Sequence, residues 1–183
     1  MTQAARASST HVPITSVSVS GFRIPTETPE SDGTLEWQAT TLVVAEVAAG
    51  GKTGFGYTYS DPATATLIRD HFQETLVGRS AFALPECWRA MIHSVRNLGR
   101  PGIASMAISC SDIALWDLKA KLLGTSVARL LGAARTSVPV YGSGGFTSYS
   151  MQELESQLHG WAGQGFGMVK MKIGRTLLTH SSH

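Results

Sequence analysis

Between Ile103 and Leu123 the chain carries its most apolar helical pattern, and that pattern is too wide for one buried face. Ile103, Met106, Cys110, Ile113, Trp116 and Leu123 fall on one stripe at helical spacing, and Leu115, Leu118 and Leu122 on a second. A surface helix ordinarily buries a single stripe. A belt this wide requires burial against more than one neighbour. Asp117 and Lys121 form an i, i+4 pair on the same helix, and Gly124 stops it.

The segments before this helix supply one such neighbour. Ile14 to Ile24 alternates as a strand with one buried face, and Pro25 is expected to end it. Thr26 to Trp37, rich in Thr, Glu, Pro, Asp and Gly, reads as a loop. Thr40 to Val47 and Gly54 to Tyr59 read as two further strands around the turn Ala49-Gly50-Gly51-Lys52. Their spacing predicts an antiparallel hairpin, and the three strands together a meander. Asp61-Pro62 then caps a helix running to Leu76, with Gly78 beyond it. Leu84-Pro85 opens another helix through Val95, and Ser126 to Leu131 is a short one closed by Gly132.

The pattern changes after that. Ser137 to Tyr141 reads as a strand, followed by the small-residue turn Gly142-Ser143-Gly144-Gly145. Ser150 to Gln164 is an amphipathic helix with a Ser150/Glu153 capping box. Met168 to Ile173 is again a strand. Strand, helix, strand at this spacing predicts a βαβ unit with parallel strands. Thr176 to His183 has no period. The expected organisation is a disordered lead over 1–13, an α+β domain over 14–135, a βαβ segment over 136–175, and an irregular tail over 176–183.

Composition narrows the function. The chain has 183 residues, 43% of them apolar and 15% charged, with a net charge of +2. That is a globular composition without the basic runs that bind nucleic acid or anionic membranes. No stretch is apolar enough to span a bilayer, and the polar start lacks a signal-peptide pattern, so a cytoplasmic protein is expected. Cys87 and Cys110 lie in apolar helical patterns without CxxC spacing and read as small buried hydrophobes.

Lys170 and Lys172 carry the sharpest chemistry. Two residues apart on a strand, both ammonium groups share one face, while Val169, Met171 and Ile173 share the other. Adjacent buried ammoniums are costly, and each depresses the pKa of the other. A lysine so treated is a usable general base. From the local pattern alone, the plainer reading is of solvated lysines on a half-exposed strand.

Ala107 to Lys121, Leu130-Leu131-Gly132, Val138-Pro139-Val140-Tyr141 and Val169-Lys170-Met171-Lys172-Ile173-Gly174 come in an order that resembles the mandelate racemase/muconate lactonizing group of the enolase superfamily. The resemblance implies an α+β capping domain, built of a three-stranded antiparallel meander plus helices, followed by the first β/α units of an incomplete TIM-type barrel. It implies Lys172 as the base that removes the proton α to a carboxylate, and Lys170 as the partner that lowers its pKa and contacts the substrate carboxylate. In that superfamily a lysine base acts beside Mg²⁺. It implies that Thr26 to Trp37 closes over a substrate, so Thr26, Glu27 and Trp37, with Tyr141 and Ser143 at the barrel mouth, are the substrate-binding candidates. Glu27, Glu30, Asp32 and Glu36 make this segment polar, which fits a hydroxylated acid or a merely solvated loop. The implied partners are a small carboxylate substrate and, in full-length relatives, a homo-oligomer.

The departures are as informative. A (β/α)₈ barrel needs about 250 residues, and little chain follows Tyr141. The family's Mg²⁺ carboxylates lie on its third, fourth and fifth barrel strands and its second base later still, so no metal ligand is assigned here. Asp112 and Asp117 are expected to be structural. The Gly142 to Gly145 cluster lacks a phosphate-loop ending and is expected to permit close approach. The histidines, His180 and His183 included, show no ligand spacing on a shared face. The expectation is a truncated racemase- or acid-sugar-dehydratase-type enzyme, inactive alone, with open strand edges that favour association. The alternatives are a non-catalytic fragment that pairs with a longer paralogue and a stand-alone binding module.

Overall fold

Two glycines on one strand decide how the sheet meets its helices. In the computed structural model, which describes residues 11–174, the first three strands are β1 (Ile14–Ser31), β2 (Glu36–Ala49) and β3 (Lys52–Tyr59). They form an antiparallel sheet in the order β1-β2-β3. β2 and β3 pair from Leu42 with Tyr59 to Ala49 with Lys52, joined by Gly50 and Gly51 at φ of 55° and 72°. Two successive positive φ values are the type I′ turn that matches the twist of the strands. On β3, a Cβ at Gly54 would collide with the carbonyl oxygen of Ala114 and with Leu118, and a Cβ at Gly56 with the carbonyl oxygen of Cys110. Backbone therefore packs directly on the helix α4 (Ile103–Leu122).

This close approach selects which face of α4 is buried. Ala107, Cys110, Ala114 and Leu118 are sealed against the sheet, with Ile108 and Leu115 in the same core. The stripe expected from Ile103, Met106, Cys110, Ile113, Trp116 and Leu123 is corrected: only Cys110 of the six is buried, and Ile113 is 47% exposed. Small residues win because glycine-lined strands leave no room for large ones. The second stripe does hold Leu115 and Leu118 inside, with Leu122 partly buried.

The other helices complete this core. Asp61 caps α1 (Pro62–Leu67) through the amide of Ala63. The helix continues through a π-helical turn, Ile68–Phe72, into α2 (Gln73–Leu76), and Ile68, Phe72 and Leu76 are buried. α3 (Leu84–Ser94) buries Leu84, Cys87 and Met91. α5 (Val127–Leu130) is capped by Ser126. Both cysteines are free and buried. Val12 and Pro13, assigned to the lead by sequence pattern, take part in the fold: Val12 accepts the amide of Ala81, and Pro13 bridges Ser80.

β1 does not stop at Pro25, and Thr26 to Trp37 is not a loop. Both strands run on to a tight tip at 32–35. β1 is an edge strand, where a missing proline N–H removes no ladder bond, so Pro25 and Pro29 are tolerated. Two compact units result, one of residues 11–23 with 41–133 and the other of 24–40 with 134–174.

The second unit holds the strand–helix–strand segment. Its strands β4 (Gly142–Ser143) and β5 (Val169–Lys170) pair in parallel, and α6 (Met151–Gly163) lies between them in sequence. The Ser150/Glu153 capping box is present in both directions. Ser137 to Tyr141, expected as a strand, is unpaired, and the expected turn residues Gly142 and Ser143 form the paired strand instead. A ladder needs a neighbour, and among the described residues Ser137 to Tyr141 pair with no strand. Apolar side chains are left open as a result, with Ile173 83% exposed. The tail over 176–183 lies outside the described residues.

Candidate functional site

The lysine strand β5 is fixed to β4 and the residues just after it by three backbone hydrogen bonds. The amide of Gly142 donates to Met168 at 3.0 Å, that of Gly144 to Lys170 at 3.2 Å, and that of Lys172 to the carbonyl of Gly145 at 2.8 Å. Ser143 stands directly opposite Lys170. Lys170 is exposed at the end of β5 and Lys172 is half-buried just beyond it. The small residues between Gly142 and Gly145 do permit close approach: α6 presses Trp161 against Gly142 and Gly144, and Met171 lies against Gly145.

The chain beyond Gly145 meets the tip of the β1–β2 hairpin. Thr147 donates its amide to the Ser31 carbonyl at 3.0 Å, and the two hydroxyls also bond. The Ser148 hydroxyl donates to the carbonyl of Pro29 at 2.7 Å. Trp37 stacks edge-on against Phe146 at 5.6 Å and donates its indole N–H to Glu30 at 2.8 Å. Phe146 in turn packs edge-on against Tyr149. At the tip, Asp32 Oδ1 accepts the amides of Thr34 and Leu35 and the Thr34 hydroxyl. The Leu35 and Thr34 amides hold the Asp32 carboxyl down at about 2, and the charge of Lys172 acts in the same direction.

The expected site residues separate into two groups. Lys170, Ser143 and Lys172 lie along one ladder, and Trp37 reaches the adjoining turn at Phe146. Glu27 and Tyr141 are exposed, and among the described residues no side-chain hydrogen bond joins either to the lysines. Thr26 is half-buried, with its hydroxyl oxygen enclosed and, among the described residues, without a partner. The sequence reading missed Asp32 as the acceptor that holds the hairpin tip, and missed Phe146, Thr147 and Ser148 as the hairpin's seat. The one available signal was the aromatic and hydroxyl run Phe146-Thr147-Ser148-Tyr149 directly after the glycines.

Magnesium does not fit the residues at hand. Among the described residues no three His, Cys, Asp or Glu side chains converge. Beyond Thr136 the acidic residues are Glu153 and Glu155, and Glu153 is occupied in the helix cap. Asp117 is structural, bonded to the amide of Phe55 and to Lys121. No described helix is long and apolar enough to cross a membrane.

Residues 15–132 match the sequence model described as "Mandelate racemase / muconate lactonizing enzyme, N-terminal domain". The chain is 33% identical to a 3,6-anhydro-alpha-L-galactonate cycloisomerase of Streptomyces coelicolor, over 84% of this chain and 44% of that protein. A mandelate racemase/muconate lactonizing enzyme-like protein from Rubrobacter xylanophilus superposes with a TM-score of 0.87 at 46% identity, over 90% of this chain and 46% of the other. The L-talarate/galactarate dehydratase of Salmonella typhimurium LT2, solved with Mg and L-lyxarohydroxamate, superposes at 0.83 with 30% identity, over 97% of this chain and 48% of the other. The chain thus spans about half the length of these relatives.

Proposed function

The chain belongs to the mandelate racemase/muconate lactonizing enzyme family, and from that premise we propose that it supplies the lysine side of a site that removes the proton α to the carboxylate of a small hydroxylated acid. The observation that carries this reading is the placement of Lys170 and Lys172 at the C-terminal end of a parallel strand, beside Ser143 and Gly145 of the neighbouring strand. Active sites of β/α folds collect at that end. In this reading Lys172 Nζ takes the α-proton, and the ammonium of Lys170 faces the negative charge that builds on the carboxylate. A general base so placed contributes about 10²- to 10⁴-fold in rate. Racemisation and dehydration share this first step.

The hairpin tip supports a polar substrate. Asp32, Thr34 and Glu30, bonded within the hairpin, make it polar, and its seat on Thr147 and Ser148 lies two and three residues from Gly145, which bonds Lys172. The names of the relatives, a galactonate cycloisomerase and a talarate/galactarate dehydratase, describe acids of this hydroxylated class. Since the residues present do not fit Mg²⁺, we also propose that these 183 residues do not turn over unaided.

The test is α-proton exchange with solvent deuterium, measured on a panel of aldonic and aldaric acids with Mg²⁺. The 183-residue chain is expected to give none. A graft carrying the remaining length of the Streptomyces relative after Gly174 is expected to exchange the α-proton, with a loss of about 10²-fold or more in Lys172→Ala. Exchange that survives Lys172→Ala in the graft would end the base assignment. Exchange by the chain alone would end the claim that it needs more residues.

A further inference from the structure

The backbone bonds between the two parallel strands do not keep step to the end. A parallel ladder advances by two residues at a time with evenly spaced bonds. Gly142 to Met168 and Gly144 to Lys170 obey that step. The next bond in a regular ladder would run from the Lys172 amide to the carbonyl of Gly144. The Lys172 amide goes instead to the carbonyl of Gly145, so one extra residue is inserted on the β4 side. Gly145 stands at φ +58°, in the left-handed region, and Met171 lies where a Cβ would project. An inserted residue of this kind bends the strand and re-aims the side chain next to it.

Alternate amides of a strand face away from its partner strand, and Gln157 collects the one at Gly145. Gln157 Oε1 accepts that amide at 2.8 Å. The inward stripe of α6 is otherwise Leu154, Leu158 and Trp161, all half-buried, so a glutamine within it breaks an apolar pattern. A buried backbone amide without a partner is costly. Gln157 thus satisfies the amide of the residue whose carbonyl takes the out-of-step Lys172 bond.

We propose that Gln157 is a positioning residue for Lys172: by holding the Gly145 amide it fixes the one-residue insertion that sets the direction of the lysine. The inference rests on the reading of Lys172 as the base for its functional meaning, but its geometry can be tested without turnover. Amide hydrogen exchange on the full chain reads it directly. Gln157→Met keeps side-chain length and removes the acceptor, and it is expected to speed exchange at Gly145 and Lys172 by roughly 10-fold, the size of one lost hydrogen bond. Gln157→Glu keeps an acceptor and is expected to restore protection. The Lys170 amide, on the regular part of the same ladder, and the Leu118 amide in the core are expected not to change in either variant. That locality separates positioning from a general packing role, which would loosen the whole sheet. Should Gln157→Met not fold, Gln157→Asn, which withdraws the acceptor by one methylene, serves in its place. Unchanged protection at Lys172, equal loss at Lys170, or failure of Gln157→Glu to restore protection would overturn the proposal. The deuterium experiment on the graft tests the base assignment independently, so the two can fail separately.

Discussion

The carboxylate of Asp117 accepts the backbone amide of Phe55 over 2.8 Å, across 62 residues of sequence. β3 is an edge of the sheet, and this bond ties its exposed side to α4. Lys121 Nζ lies 2.6 Å from the same carboxylate and adds little, because the lysine is exposed and the half-buried Asp117 still meets solvent. Asp117→Ala is expected to cost about 2 kcal/mol in urea unfolding, as a hydrogen bond to a charged group does. Asp117→Asn, which keeps an acceptor, is expected to cost less. Equal losses would mean that charge rather than the bond matters.

Gly56 tests whether backbone contact sets the sheet-to-helix distance. Gly56→Ala is expected to destabilise by roughly 3 kcal/mol, since the new Cβ meets the Cys110 carbonyl and not a movable side chain. Gly21→Ala, on β1 with nothing within 4 Å, is the control and is expected to be near neutral. Similar urea midpoints for both variants would refute the close-approach argument.

Asp32 makes the hairpin tip sensitive to acid. Its folded carboxyl titrates at about 2, below the ordinary 3.8. The stabilisation it gives is therefore complete above pH 4 and lost as pH falls through about 2. The amide shifts of Thr34 and Leu35 are expected to move with a midpoint near 2 and to lose that step in Asp32→Asn. A midpoint near 3.8 would show that the tip bonds do not persist in solution.

Cys87 and Cys110 test burial chemically. Removal from water pushes both thiols up to about 11 from an ordinary 9. At pH 8 a thiol reagent should react with the folded chain about 100-fold more slowly than with the chain in denaturant, from the lower thiolate fraction alone. With the folded value raised, the contribution to stability is full below pH 9 and declines as pH climbs from 9 towards 11. Rapid labelling of native chain at pH 8 would contradict this core.

Features bound to neighbouring residues were legible from the chain. The Asp61 and Ser150 caps, the Gly50-Gly51 hairpin and the pairing of two parallel strands around α6 each depend on groups a few residues apart or on a simple period. The two-residue spacing of Lys170 and Lys172 was legible too, but β5 ends at Lys170 and Lys172 lies just beyond it, so spacing alone does not fix a shared face. Strand ends were less legible. Pro25 reads as a terminator only if the strand is internal, and edge position is settled by which strands pair.

The buried face of α4 could not be read from hydrophobicity, since its large residues outrank its small ones on any apolar scale. Gly54 and Gly56, far away in sequence, bring the sheet backbone so close that Ala107, Cys110 and Ala114 are sealed and Ile113 is turned out. The surroundings of Lys172 are of the same kind. The sequence determined that two lysines stand two residues apart where a parallel strand ends. Only the tertiary structure decided that Gly145 takes the Lys172 amide, that Gln157 takes the Gly145 amide, and that the charge of Lys172 adds a little to the lowering at Asp32. Those partners lie between 12 and 140 residues apart along the chain. Hydrogen bonds and Coulomb forces depend on distance in space, and the sequence fixes that distance only through the packing of the whole unit.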